Sequence, residues 1–266
     1  MNHDDNVSRF YNDLGGWDSV ADLLDSSTVD ASLFEDLRDV SRNYLSKIRL
    51  RVNRHITNLT GGSLLDFASG PIQYKEYLTY SRGFENRYCV DFSSQALVDA
   101  RSKIGNAGKY FVGDYFGFSF PENHFDCSLC IHTLYHIDRD KQVHCVRKLI
   151  RETKPCGNIV VLYSNPNSLN RRLRSFASCF GWKSGKKQHD LYFYAYPLGW
   201  WKHNFSDTCV VRIETWRLFE TAIMKVLIPD NFFGAFILRC FYLLESINFS
   251  VIRAIADYPM IILTKK

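Results

Sequence analysis

Three carboxylates close three successive apolar runs: Asp66 after Leu64-Leu65, Asp91 after Tyr88-Cys89-Val90, and Asp114 after Phe111-Val112-Gly113. Asp66 leads into the small-residue turn Phe67-Ala68-Ser69-Gly70-Pro71. A dinucleotide-binding turn needs three glycines so that a pyrophosphate can approach backbone amides at a helix start. Here those positions read Ala68, Gly70 and Gln73. An acid just before the turn repels a diphosphate and suits an ammonium and a sulfonium. Asp91 follows Gly70 by 21 residues, the distance at which an acid reaches ribose hydroxyls. Asp114 is a candidate acceptor for an adenine amino group. Taken singly, each acid can also be read as a helix cap.

A second chemical group follows the fourth apolar run: His132-Thr133-Leu134-Tyr135-His136. Histidine takes up a proton near neutral pH, so His132 and His136 are the candidate catalytic residues. Tyr135 reads as core.

Alternating strand and helix signals position these groups. Strands are expected at Ser63–Phe67, Tyr88–Phe92, Lys109–Val112, Phe125–Ile131 and Asn158–Tyr163. Helices are expected at Ile72–Ser81, at Gln95–Ile104 with Ser93 or Ser94 as N-cap, and at Asp138–Thr153, ended by Pro155-Cys156-Gly157. Such alternation gives parallel strands, with ligands at the carboxyl edge of the sheet. Before it, residues 7–60 read as an amphipathic helical cap, with Leu33, Leu37, Val40, Tyr44 and Ile48 on one stripe. Residues 166–209 carry basic side chains interleaved with aromatics and read as an insertion. From 210 to 266 come a strand, two helices and a last strand, Tyr258–Leu263. The apolar helix Phe232–Ile247 is expected to bury against the sheet or in a homodimer.

Together these features resemble the class I S-adenosylmethionine-dependent methyltransferases, from roughly Gly61 to Asn165. Leu65-Asp66-Phe67-Ala68-Ser69-Gly70 stands at that superfamily's acid-plus-glycine loop, and Tyr88-Cys89-Val90-Asp91-Phe92 at its ribose-binding strand. Gly113-Asp114 stands at its adenine-side acid, Phe125–His132 at its fourth strand, and Lys154-Pro155-Cys156-Gly157-Asn158 at its turn into strand five. The resemblance implies an α/β, Rossmann-like seven-stranded mostly parallel sheet with helices on both faces and an antiparallel last strand. The 1–60 cap precedes a 61–165 cofactor-binding core. It implies S-adenosylmethionine as cofactor, held by Asp66, Ala68, Ser69, Gly70, Pro71, Asp91, Phe92, Asp114 and Tyr115, with Tyr11 closing over the sulfonium. Alanine at 68 fits provided its backbone is not left-handed.

The implied reaction is O-methylation of a small-molecule or saccharide-type acceptor, by in-line transfer with a histidine base. His189, Tyr194, Trp200 and His203 are the candidate acceptor wall. An Asn/Asp-Pro-Pro-aromatic motif is missing after strand four, which weighs against a nucleic-acid base as acceptor. A catalytically silent binding module, an RNA methyltransferase and a nucleotide-sugar oxidoreductase are the competing readings, the last disfavoured by the missing glycines.

Composition sets outer bounds. The 266 residues are 46% apolar with a net charge of +5, enough for a large core and too mild an excess to select a partner. No 18-residue apolar run predicts a membrane span, although the basic aromatic segment also suits peripheral contact with an anionic membrane. The polar start Met1-Asn2-His3-Asp4 is unlike a secretory signal, so the eight cysteines are expected to be reduced thiols of a cytoplasmic protein. Cys127 and Cys130 form a lone CxxC inside a strand, where residues three apart face opposite ways. No metal site is expected.

Overall fold

In the computed structural model the described residues are 11, 17, 34–56, 61–179, 192–247 and 249–266. Seven strands form one sheet: β1 (Gly61–Phe67), β2 (Phe84–Asp91), β3 (Gly108–Val112), β4 (Phe125–Ile131), β5 (Thr153–Leu162), β6 (Cys209–Arg217) and β7 (Tyr258–Lys265). Their order is β3-β2-β1-β4-β5-β7-β6. The pairs from β3 to β5 are parallel, and β7 runs antiparallel between β5 and β6. This is the seven-stranded, mostly parallel α/β architecture that the resemblance implies.

Successive residues of the central strands enter opposite cores, as the two-residue period requires. Leu65, Cys130, Val161 and Ile261 pack on one side, with Cys145, Val146 and Leu149 of helix Arg139–Glu152. Leu64, Cys127, Val160 and Ile262 pack on the other, with Tyr44, Leu45 and Ile48 of α1 (Asp39–Arg49). Cys127 and Cys130 therefore lie on different faces, both buried free thiols. Ser93 caps helix Ser94–Ile104 by accepting from the Ala96 amide at 3.2 Å.

Three boundaries differ from expectation by three residues or more, the first being β2, which begins at Phe84 and not Tyr88. The helix after β1 is only Lys75–Leu78. Ile72 sits at φ +49 and Tyr74 is extended, so no helix can start before residue 75. Strand β5 begins at Thr153, not Asn158, because Pro155-Cys156-Gly157 forms an irregularity within the β4–β5 pairing. Cys156 takes φ +63 there, and a Cβ on Gly157 would lie 2.8 Å from the Asp126 carbonyl.

The 166–209 segment gives helices Leu169–Cys179 and Gly199–Phe205. Trp201 and Phe205 are fully buried in the sheet core, with Trp201 edge-on to Tyr163 at 5.0 Å. After β6 come α7 (Thr221–Leu227), α8 (Phe232–Ile247) and α9 (Ser250–Ile255), numbered after the six helices already given. The burial expected for α8 holds on one side only; Phe232 and Phe236 are exposed. Of the N-terminal stripe, Leu33 lies outside the described residues.

Candidate active site

The carboxyl ends of β1, β2, β4, β6 and the start of β7 surround a cavity of about 290 Å³. Its two ends differ chemically. At the β1–β3 end the turn Ala68-Ser69-Gly70-Pro71, Asp91, Phe92, Asp114 and Phe116 form the wall. Asp91 ties the turn to the next helix: its carboxylate accepts from the Gly70 amide at 2.8 Å and the Ser93 amide at 2.9 Å. Burial pushes its pKa up to about 6; those two amides oppose the rise, and nearby Asp66 adds to it. Each carboxylate oxygen takes one amide, which leaves acceptor capacity for a diol. Asp114 accepts from the Phe116 amide at 2.9 Å and stays exposed at the rim.

Gly70 takes φ +55, and a Cβ there would lie 3.0 Å from the Trp17 ring. Trp17 stacks on Tyr11 with centroids 4.6 Å apart, and both rings line the cavity. Glycine at 70 is therefore required twice, by the backbone and by the ring above it.

Three readings of this end change. Asp66 lines the cavity, but its carboxylate is bound by the buried guanidinium of Arg87, with Nε at 2.9 Å. The ammonium expected for Asp66 thus meets an already neutralised acid. Ala68 is left-handed, φ +55, contrary to the condition set for alanine, and the strain is of order 1–2 kcal/mol. Tyr115 turns away from the cavity: its ring packs on Phe67 at 4.6 Å and its hydroxyl donates to Glu152 at 2.6 Å. The tyrosine alternates inward to the core, and its neighbour Phe116 takes the wall.

At the other end the wall is His132, His136, Ser164, Arg171, Phe193, Arg217 and Tyr258, with Phe34 and Glu35 opposite. His132 takes φ +56 and places its ring edge-on to Trp216 at 4.7 Å and Tyr258 at 5.4 Å. Its Nδ1 is buried without a hydrogen-bond partner. Burial, and secondarily Arg217, push its pKa down to about 3. His136 donates from Nδ1 to the Tyr192 carbonyl at 2.8 Å, which leaves Nε2 as the lone-pair nitrogen. Burial lowers its pKa too, partly offset by that carbonyl. Both rings are neutral imidazoles at neutral pH. Arg217 is held by Glu35 at 3.2 Å and lies over the Tyr258 ring at 4.6 Å.

Of the expected acceptor wall, His189 lies outside the described residues. Tyr194 is bound through its backbone amide to the Tyr135 carbonyl at 2.8 Å, and Phe193 lines the cavity in its place. Trp200 stacks on Tyr196 at 4.6 Å, against the sheet core, and Trp200 and His203 both sit on helix Gly199–Phe205 outside the cavity wall. Trp200 completes the core under the segment, whereas His203 is exposed. Arg87, Glu35, Arg217 and Tyr258 were not foreseen. A charge within the strand Arg87-Tyr88-Cys89-Val90-Asp91 was a readable signal for Arg87. Arg217 and Tyr258 meet only through β6–β7 pairing.

Residues 65–161 match the family model described as a methyltransferase domain. Those residues, about a third of the chain, carry a methyltransferase domain. The methyltransferase shares its fold with solved structures at low identity. An S-adenosylmethionine-dependent methyltransferase from Archaeoglobus fulgidus is 17% identical, with TM-score 0.55, covering 85% of this chain and 97% of that one. A phosphoethanolamine N-methyltransferase 2 from Haemonchus contortus, solved with phosphomonomethylethanolamine and S-adenosylhomocysteine, is 16% identical with TM-score 0.53, covering 82% and 52%. The small RNA methyltransferase HEN1 is 14% identical with TM-score 0.55, covering 83% and 25%. No curated protein sequence matches the chain. The half-buried Asp91, with spare acceptor capacity beside a glycine turn, fits the ribose of the expected cofactor, S-adenosylmethionine.

Proposed function

We propose that this methyltransferase methylates a hydroxyl of a small-molecule or saccharide-type acceptor, held at the His132–Arg217 end of the cavity. Bound S-adenosylmethionine supplies an electrophilic methyl group. The chain's own part is to orient the nucleophile and exclude water, the main sources of rate in such a displacement. Asp91, the Gly70 turn, Phe92 and Asp114 hold the cofactor, and Tyr11 and Trp17 cover it. The supporting observation is the buried, partnerless Nδ1 of His132 in the cavity wall. In the tautomer with a free Nδ1 it accepts a hydrogen bond from an acceptor hydroxyl and directs an oxygen lone pair. His136 offers Nε2 for the same task. Burial disfavours a stable imidazolium at either ring, so each serves as a hydrogen-bond acceptor that takes the proton only as charge develops in transfer.

Calorimetry with S-adenosylhomocysteine tests the cofactor end. Incubation with isotopically labelled S-adenosylmethionine and a panel of saccharides and phenols tests the acceptor end, with methyl ether in the product as the expected result. His132→Ala should lower kcat at least tenfold while leaving S-adenosylhomocysteine affinity within about twofold, a factor of ten being about 1.4 kcal/mol. Methylated RNA, with affinity falling steeply with salt, would replace this reading with the RNA methyltransferase. Cofactor binding with no product from any acceptor would favour the silent module.

A further inference from the structure

The outward face of α8 is as apolar as its inward face. Gly234, Leu238 and Glu245 turn inward. Phe232, Phe236, Leu243 and Ile247 recur at helical spacing on the solvent side, Phe232 being 88% exposed. Val226 of α7 and Val251 of α9, the helices before and after α8 in the chain, are also exposed. A helix apolar all round is ordinarily buried, and a contiguous exposed apolar patch marks an interaction site.

Cations share this face. A groove of about 370 Å³ between α1 and α8 is walled by Val40, Phe232, Phe236 and Leu238, and Lys47 and Arg239 line it too. Lys225 is exposed on α7. The acids nearby do not balance them: Asp39 pairs with Arg42 at 2.8 Å, Glu245 turns inward to Arg51 at 2.9 Å, and exposed Asp230 is one acid against three cations. No helix among the described residues is long and apolar enough to cross a membrane.

We propose that this face docks on an anionic lipid bilayer, with the phenyl rings among the acyl chains and Lys47, Lys225 and Arg239 at the headgroup anions. A second copy of the chain suits the face less well. An isologous contact would bring the cations of both copies into one interface, with fewer acids than cations to pair them.

The patch is joined to the cavity. Glu35 of the cavity wall and Val40 of the groove lie five positions apart. Between them Arg38 binds Asp36 at 2.7 Å and the Ile228 carbonyl at 2.7 Å, fixing that stretch to the turn before α8. Docking would therefore bring the acceptor end of the cavity close to the headgroup layer. The substrate class that fits is an amphiphile whose hydroxylated head enters the cavity while its tail stays in the bilayer. This last step rests on the proposed acceptor reading; the docking itself does not.

Co-sedimentation of the full chain with vesicles of phosphatidylcholine alone, and of phosphatidylcholine with phosphatidylglycerol, tests the docking. Binding to the mixed vesicles should be at least about tenfold stronger and should weaken with salt. Phe232→Ser with Phe236→Ser should reduce it at least about tenfold while S-adenosylhomocysteine affinity by calorimetry is unchanged. Three results would overturn the proposal: no sedimentation with the mixed vesicles, equal sedimentation with both, or undiminished binding by the double variant. A dimer in sedimentation equilibrium that the double variant abolishes would also overturn it and assign the face to a second copy. Loss of S-adenosylhomocysteine binding by the native chain is a separate outcome, which bears on the cofactor site alone.

Discussion

Asp91 contributes a cost to the stability of the free methyltransferase at neutral pH that is lost at mildly acid pH. Its pKa is raised from the ordinary 3.8 to about 6 in the folded chain, chiefly by burial. A raised carboxyl pKa means that the folded state binds the proton more tightly than the unfolded state does. The group therefore costs stability above pH 6, and the cost disappears as pH falls through 6 toward 4. At about 1.4 kcal/mol per pH unit, the difference between 6 and 3.8 amounts to about 3 kcal/mol. This is an upper value, because Asp91 opens partly to the cavity and water there softens the burial. Other carboxylates in ion pairs, such as Asp36 with Arg38, are lowered and pull stability the opposite way on acidification. The comparison is therefore between the native chain and Asp91→Asn, each unfolded in urea from pH 4.5 to 7.5. The asparagine carries its own constant offset, since one of its amide partners, Gly70 or Ser93, loses an acceptor. The difference between the two proteins should drift by up to about 2 kcal/mol across that range, the native chain gaining on the variant as pH falls. A ribose diol donating to the carboxylate favours its ionised form. S-adenosylhomocysteine should thus stabilise the native chain more at pH 7.5 than at pH 5. A pH-independent difference between the two proteins would refute the burial argument.

Gly70→Ala should weaken S-adenosylhomocysteine binding at least about tenfold by calorimetry, because the new methyl group meets Trp17 at 3.0 Å and the backbone is left-handed at φ +55. Ala68→Gly relieves a left-handed alanine at φ +55 and should raise stability by up to about 1 kcal/mol, read as an increased urea midpoint. Glu245→Gln removes the counter-charge from buried Arg51, whose Nη1 lies 2.9 Å from the carboxylate, itself also the acceptor for Tyr44 at 2.6 Å. It should destabilise the fold by about 3–5 kcal/mol in urea titration. A cost under about 1 kcal/mol would mean that burial already keeps this carboxyl neutral, the direction in which it is shifted.

The strand-and-acid order was legible because it is local. Each βα unit writes its own apolar run, its terminal acid and its helix cap within some 30 residues, and parallel crossovers carry all three ends to one sheet edge. The positions of Asp91, the Gly70 turn and Asp114 in one cavity wall needed nothing more. The backbone at Ala68 and Ile72 was not legible, because left-handed φ at a residue with a Cβ is strain imposed by surrounding packing, and local preference argues against it. The aromatic segment misled for a related reason. Tyr194, Trp200 and His203 have the chemistry of a ligand wall, but Trp200 and Trp201 instead fill space over the sheet.

By itself the sequence determined the order of strands and terminal acids that puts the Gly70 turn, Asp91 and Asp114 at one end of the cavity, because each is local to its own βα unit. Only the tertiary structure decided the other end. Arg217 and Tyr258 meet through antiparallel pairing across 41 positions, and Glu35 reaches them from before the first strand. The neutral state of His132 follows from burial and from Arg217 beside it, neither of which the local sequence records. The same holds for α8: its composition is equally apolar whichever way it faces, and only its packing on α1 showed that half of that surface is left outside.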